Sequence, residues 1–345
     1  MEDTRLSFAV WRPAEQWQTE DPAVELRMQV YARRGRTVVV GFVVSLALAV
    51  VASAFLRHLT ALSALFLLSA VLTAIGGIRH QLRLGGWLKA AKDLLTGNPS
   101  HRVAARVVAH KGNSTVLAVG QTHLRVRPVS WGIRQVIART GEITMVGPDT
   151  EGHAVVFVDG QPTPLPAKVV EAPEPTEAEP IARVSANGAE DEVPRWYATR
   201  HARIQWIPFG YALIVLAALA YDAQQARYTS LWIYVVVLVA CLVGGLFRVA
   251  DQVRLPKLLA AGQWRAHPVT VEAWKGDARR PFADLTLKLG VPGGEQRLVV
   301  KHASAELVAN ISATGTLWMV GTPRDNKSAA VGVPGHPILA PARFA

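Results

Sequence analysis

Thr37–Leu56 reads TVVVGFVVSLALAVVASAFL, twenty residues without one charge. At 1.5 Å per residue such a helix matches a hydrocarbon core of about 30 Å. Its seven Val, three Leu and two Phe favour insertion by roughly 5 kcal/mol before polar costs. Leu59–Ile78, LTALSALFLLSAVLTAIGGI, is equally long and uncharged, and only Arg57 and His58 separate the two, which predicts a tight helical hairpin. Ile204–Tyr221 and Leu231–Phe247 form a second pair. These last two are near the short limit, and the alternative is a pair of buried core helices; a run of 17–18 residues without charge favours the membrane.

The flanking charges orient the hairpins. Arg33, Arg34 and Arg36 precede the first span, and Arg79, Arg83, Lys89 and Lys92 follow the second. Arg195, Arg200 and Arg203 precede the third, and Arg248, Arg254 and Lys257 follow the fourth, whereas the short loops opposite hold only Arg57 and Arg227. Lys and Arg resist translocation, so both termini and the central segment are expected in the cytoplasm, with the protein a multi-pass component of the cell membrane. No cleavable signal peptide is expected from MEDTRLSFAVW.

The chain also repeats itself. IARTGEITMVGP from Ile137 returns as ISATGTLWMVGTP from Ile311, and VFVDGQPTPLPAK from Val156 returns as VGVPGHPILAPAR from Val331. AHKG at Ala109 parallels AWKG at Ala273, and YARR at Tyr31 parallels YATR at Tyr197. Ordered matches at a near-constant offset predict a tandem duplication. Each unit holds an even number of crossings, so the copies point the same way, as in a homodimer fused into one chain.

The expected organisation is therefore a cytoplasmic segment over 1–36, a transmembrane hairpin over 37–78, a juxtamembrane helix and β module over 79–170, an acidic Pro/Glu-rich linker over 171–194, a basic lead-in and second hairpin over 195–247, and a second β module over 248–345. In fold class this is a membrane α-helical protein, four transmembrane helices in two hairpins, carrying two small cytoplasmic β-rich modules. VAARVVAH, TVLAV and HLRVRP read as strands; a helix near Ser130–Arg139 follows, stopped by Gly141, and then the strands EITMVG and HAVVFVDG. Three strands, a helix and two strands are the order of an OB-like β-barrel, and a split α+β sandwich gives a similar string. PTPLPAK and PILAPAR are expected to run extended across the module surface. Seven acids and three Pro among residues 171–193 predict a flexible, solvated tether. Leu84, Trp87, Leu88, Ala91 and Leu95 share one helical face, suited equally to the headgroup layer or to packing on a module.

Chemical motifs are sparse. The histidines at 58, 80, 101, 110, 123, 153, 201, 267, 302 and 336 form no HxxxH and join no CxxC. No metal site, cofactor or catalytic residue is assigned, and no GxSxG, Walker A or GxGxxG pattern occurs. Cys241, the single cysteine, sits within a span and is expected inert; Gly76–Gly77 and Gly244–Gly245 are expected to serve close helix packing. The spans themselves carry no ionisable side chain, which argues against active transport.

The net charge of +11 is uneven, with +7 over Arg79–Val170, −6 over the linker and +6 over Arg248–Ala345. Expected partners are the lipid bilayer with its anionic headgroups and another membrane or cytoplasmic protein. Nucleic acid is the weaker candidate, because the first module offers only Trp131 and Phe157 for base stacking. The preferred function is a non-catalytic scaffold or accessory subunit; the alternative is a small transporter or channel subunit, with Ser45, Ser53, Ser63, Ser69 and Thr73 as its polar groups. An enzyme would need titratable groups to converge in a module, such as His123 with Asp159. The layout resembles that of NfeD-like membrane proteins, which pair spanning helices with an OB-type module; no residue pattern of that family recurs here, and no role is carried over.

Overall fold

The computed structural model describes residues 8–13, 21–56, 61–174, 176–224, 234–239, 242–243, 253–279, 281–291, 294–321 and 328–344. It divides into two compact units, a head formed by Met1–Val30, Gly86–Arg200 and Arg254–Ala345, and a helical unit formed by Tyr31–Gly85 and His201–Val253.

Helices α1 (Pro22–Leu56), α2 (Ala61–Gly97), α4 (Glu192–Ile204) and α5 (Ile207–Gln224) supply the helical unit, and α1, α2 and α4 include residues of the head. Three segments, Pro22–Val51, Ala64–Gly97 and Glu192–Gln224, are long and apolar enough to cross a membrane. Several of their large side chains, Val39, Leu72 and Leu213 among them, are about 60% or more exposed. Of the fourth expected span, residues 234–239 are helical; Cys241, Gly244 and Gly245, like the loop residues Arg57 and Arg227, lie outside the described residues.

Small residues let α1 and α2 approach closely. A Cβ built on Gly77 would stand 2.5 Å from Val38 Cγ1, and one on Gly41 would stand 3.5 Å from Thr73 Cγ2, whereas Gly76 has nothing within 4 Å. The chain leaves helical geometry at Gln205 and Trp206 and resumes with Pro208 in the first turn of α5, where its missing N–H costs nothing. Asp222, one residue past the expected third span, lies on α5 and is fully buried, accepting a 2.6 Å hydrogen bond from the hydroxyl of Tyr234. Val215, Tyr211 and Phe66 pack around that pair.

The head contains two β-sheets. The first is built from β1 (His101–Ala104), β2 (Arg106–Lys111), β3 (Ser114–Val119), β4 (Thr122–Val126), β5 (Glu142–Val146), β6 (His153–Val158) and β7 (Gln161–Val170), in the order β1-β5-β6-β7-β4-β3-β2. Its outermost strands, β1 and β2, are separated in the chain by Ala105 alone. Helix α3 (Trp131–Thr140) lies between β4 and β5. Its start is capped by Ser130, whose hydroxyl accepts from the Ile133 N–H, and it ends at Gly141 with φ +68°. Val136 and Ile137 face the sheet's core of Leu117, Leu124, Val126 and Ile143.

After a short helix α6 (Leu255–Leu259), the second sheet is built from β8 (Trp264–Trp274), β9 (Phe282–Val291), β10 (Gly294–Ser304), helix α7 (Ala305–Thr314), β11 (Thr316–Val320), β12 (Ser328–Gly332) and β13 (Leu339–Phe344), three strands before its helix where the first has four and three after it in both. These six strands close into a barrel, β10-β13-β12-β11-β8-β9, every pair antiparallel. Ser304 and Gly315, at φ +62°, cap α7 as Ser130 and Gly141 cap α3.

Two expectations are corrected here, and one open alternative is decided. The Pro-rich closers are not surface coverings but strands: β7 pairs with β6 and β4, and β13 with β12 and β10. Alternate strand residues point their N and O to the same neighbour. Pro162, Pro164 and Pro166 therefore place all three missing donors on one edge, ahead of the point where β4 begins to pair at Ala167. The acidic linker, expected as a solvated tether, is held by both modules. Thr176 N–H donates to Val108 O, Ala182 N–H to the Gln135 side chain and Gly188 N–H to Gly262 O, while Glu179 pairs with Arg134 and His110. Matching cations on the modules, not local composition, decide its order. Finally, the apolar face of α2 packs on the first module: Trp87, Ala91, Leu94 and Leu95 are buried, and the Trp87 indole donates 2.8 Å to Ala154 O.

Candidate functional site

The two modules meet helix to turn. Helix α7 of the second module packs against the Gly160–Thr163 turn of the first, and helix α3 of the first packs against the Gly335–Pro337 turn of the second. Asn310 on α7 donates 2.8 Å to Gly160 O; Arg139 at the end of α3 donates 3.0 Å to Gly335 O. Each helix thus satisfies a carbonyl in the other module's glycine turn, the reciprocity of an isologous interface. Gly160 and Gly335 have φ of +75° and +69°, a backbone state suited to glycine, and the His336 ring fills the space beside Gly160.

Two strands of chain clamp this junction. Residues 8–13 cross it from one module to the other. Phe8 packs edge-on against Trp318 and Val10 joins the second core, while Trp11 packs against Phe157 of the first. The Trp11 backbone donates to Asn310 Oδ1 and accepts from the Gly160 N–H, both at 2.9 Å, so the Asn310 amide is saturated on both sides. Arg12 pairs with Asp159. On the opposite chain, Asp191 at the end of the linker accepts from Gly335 N–H (2.8 Å) and the Trp264 indole (3.2 Å).

The junction buries charge. Burial pushes the Asp191 carboxyl up to about 7, against the pull of the Gly335 N–H, Arg139 and the Trp264 indole. His336 is fully enclosed; burial, with Arg139 nearby, holds its ring down to about 4. Its Nδ1 lies 2.8 Å from Pro334 O, so Nδ1 carries the proton of the neutral ring and Nε2 is left as an acceptor. Glu306, in the first turn of α7, pairs with Arg27 of α1 and accepts 2.6 Å from the Thr163 hydroxyl. Burial alone would raise that carboxyl, but Arg27 and the hydroxyl outweigh it, and Glu306 stays below the usual carboxylate range.

These shifts fix a pH dependence. A carboxyl raised on folding is penalised when it ionises, so its drag on stability grows from about pH 4 to about pH 7 and then levels off. A histidine lowered on folding supports the fold fully above about pH 6.5 and less as pH falls toward 4. The two oppose each other between pH 4 and 6.5. Asp191→Asn, which retains an acceptor for Gly335 and Trp264, removes the first alone. It is expected to raise head stability at pH 8 by about 2–4 kcal/mol while leaving pH 4 little changed. Denaturant unfolding followed by tryptophan fluorescence from pH 4 to 8 checks this; parallel curves for the two proteins would contradict it.

The residues weighed from sequence are placed as follows. His123 on β4 stands opposite Ala118 and Val170, and Asp159 is held by Arg12 and Arg102, so the two are not brought together as an acid–base pair. His110 pairs with Glu179 at 2.9 Å. Among the described residues, no three His, Cys, Asp or Glu converge as a metal would require. Phe157 is fully buried and Trp131 packs on Trp196. Arg139, Asp191, Asn310 and His336 were not distinguished as site residues in the sequence. The one hint was the repeat itself, which aligns Gly160 with Gly335 and so marks both turns.

No family model matches this chain, and neither a curated protein nor a solved structure matches it.

Proposed function

We propose that this chain is a non-catalytic membrane-anchored scaffold or accessory subunit that presents two cytoplasmic β modules as one rigid head. The reading takes the chain as a duplication, each half an OB-like barrel extended by a sixth strand and preceded by a two-helix hairpin. It places four spans in the cell membrane with both termini in the cytoplasm. The reciprocal junction carries the reading. Side-chain bonds from α3 and α7 to the opposite glycine turns, sealed by residues 8–13 and by Asp191, make a broad fixed surface from two small domains. The repeated strand order and the matched Ser and Gly caps support the duplication.

Photo-crosslinkers placed on the head in native membranes are expected to recover one reproducible membrane or cytoplasmic protein. A variant with a broken junction is expected to lose it. A chain that crosslinks to no protein in its native membrane would contradict the proposal.

A second reading, a transporter or channel subunit, is favoured by one observation. Asp222 is a buried carboxyl group in the helical unit, with Oδ2 bonded to Tyr234 and Oδ1 without a partner among the described residues. It requires solute flux into sealed vesicles that falls at least about tenfold in Asp222→Asn, and tight vesicles would end it.

A further inference from the structure

The strand register of the first module sorts its side chains onto two faces, and the outward one is chemically one-sided. Arg106 stands opposite Ala118, and Ala118 opposite His123; Val116 stands opposite Arg125, and Arg125 opposite Lys168. Lys111 stands opposite Ser114, whose hydroxyl accepts from Arg127. Because side chains two apart share a face, Arg106, Lys111, Arg125, Arg127 and Lys168 all lie on this side, with His123 among them. All five cations are exposed, and none of the positions between them is acidic. Among the described residues, Arg106, Lys111, Arg125 and Lys168 enter no ion pair; Asp149 and Glu151 pair with His153, Glu179 pairs with His110 and Arg134, and Glu171, Glu174 and Glu177 belong to the linker past the end of β7. Val116 points outward yet is only 6% exposed, which fits the apolar stems of its long neighbours lying over it.

The second module shows that the fold does not require this. On its corresponding strands the outward side chains are of mixed sign and neutralise one another: Lys288 pairs with Glu272 and Glu295, Arg297 with Glu272, and Lys301 with Asp284. The second sheet is balanced on these strands, whereas the β2-β3-β4-β7 face of the first carries only cations.

We propose that the β2-β3-β4-β7 face of the first module is a binding surface for anionic lipid headgroups. This rests on the reading that the apolar helices insert in a bilayer. The face is a broad, open sheet surface, which suits a planar array of headgroups. Only eight residues separate Ile78, the end of the second apolar run, from Trp87, which is bonded to Ala154 of this module. That length of chain spans at most about 30 Å, so Trp87 stays within that distance of the end of the run. Each Lys or Arg close to an anionic surface gains roughly 1 kcal/mol, and the gain falls off within a Debye length.

The test uses the full chain in nanodiscs of neutral lipid and of neutral lipid mixed with an anionic phospholipid, read by amide hydrogen exchange. Peptides covering 106–111, 122–127 and 166–170 are expected to exchange about threefold or more slowly on the anionic discs at about 0.05 M salt. The difference is expected to vanish at about 0.5 M salt. It is also expected to vanish in the combined variant Arg106→Gln, Arg125→Gln, Lys168→Gln, whose unchanged exchange on neutral discs shows that it is folded. Equal exchange on both lipids would overturn the proposal. So would protection on neutral discs by an added single-stranded oligonucleotide or polyglutamate with none from lipid, which would assign the face to a soluble polyanion. Failure to enter discs at all would defeat the membrane reading itself, whereas entry without protection defeats only the assignment of this face.

Discussion

Glu306→Ala is expected to destabilise the head by about 3–5 kcal/mol, because it strands the Arg27 guanidinium in a buried site. Arg27 and Glu306 are each little more than a tenth exposed at the side chain, and Arg27 Nε lacks a partner among the described residues. The carboxylate also takes the Thr163 hydroxyl, so one substitution releases α1, β7 and α7 together. Truncating a buried pair on one side is far costlier than exchanging both members for apolar groups. The double variant Arg27→Met, Glu306→Leu is accordingly expected to recover most of the loss. Denaturant unfolding of the purified protein, followed by tryptophan fluorescence, measures both. A loss below about 1 kcal/mol for the single variant is the behaviour of an exposed pair, and would show that the three elements are not joined there.

Gly160→Val is expected to cost about as much by a different route. The backbone at φ +75° is one that a β-branched residue adopts only with strain, worth about 1–3 kcal/mol. The added Cβ would meet His336 Cδ2 at 2.9 Å and Nε2 at 3.3 Å, and overpacking adds about 1–3 kcal/mol more. His336 has nowhere to retreat, being bonded to Pro334 O in a closed site. Gly120 supplies the control: its φ is +57°, but nothing lies within 4 Å of the added carbon. Gly120→Val is expected to show the backbone strain alone. Equal losses in the two variants would mean that the contact between the glycine turns contributes nothing.

Much of this architecture was legible locally. Uncharged runs of helical length marked the apolar helices, and Ser130 with Gly141 marked both ends of α3, because capping is decided within one turn. Alternating apolar residues and turn glycines placed the strands on either side of that helix. The sixth strand was hidden by its prolines, which weigh against a strand until the pairing shows them confined to one edge. Composition misjudged the linker for a similar reason. Its carboxylates are matched by Arg134 and His110, far away in the chain, and no window of sequence holds both halves of such a pair. The junction is the extreme case. Asn310 meets Gly160 and Trp11 across 150 and 299 positions, and Asp191 meets Gly335 across 144. Only the aligned glycines foreshadowed it, and they fixed a place without naming the side chains that close it.

The joining of the two modules helix to turn is tested most directly by a disulfide across it. A Cβ on Gly132 of α3 would stand 2.9 Å from Pro337 Cβ, within about 1 Å of the separation a disulfide prefers. In the full chain carrying Cys241→Ser, Gly132→Cys and Pro337→Cys, mild oxidation followed by proteolysis and mass spectrometry reads the link. One bridged peptide pair within a monomeric chain is the result expected. Two free thiols, or bridges only between chains, would show that the modules do not share this junction.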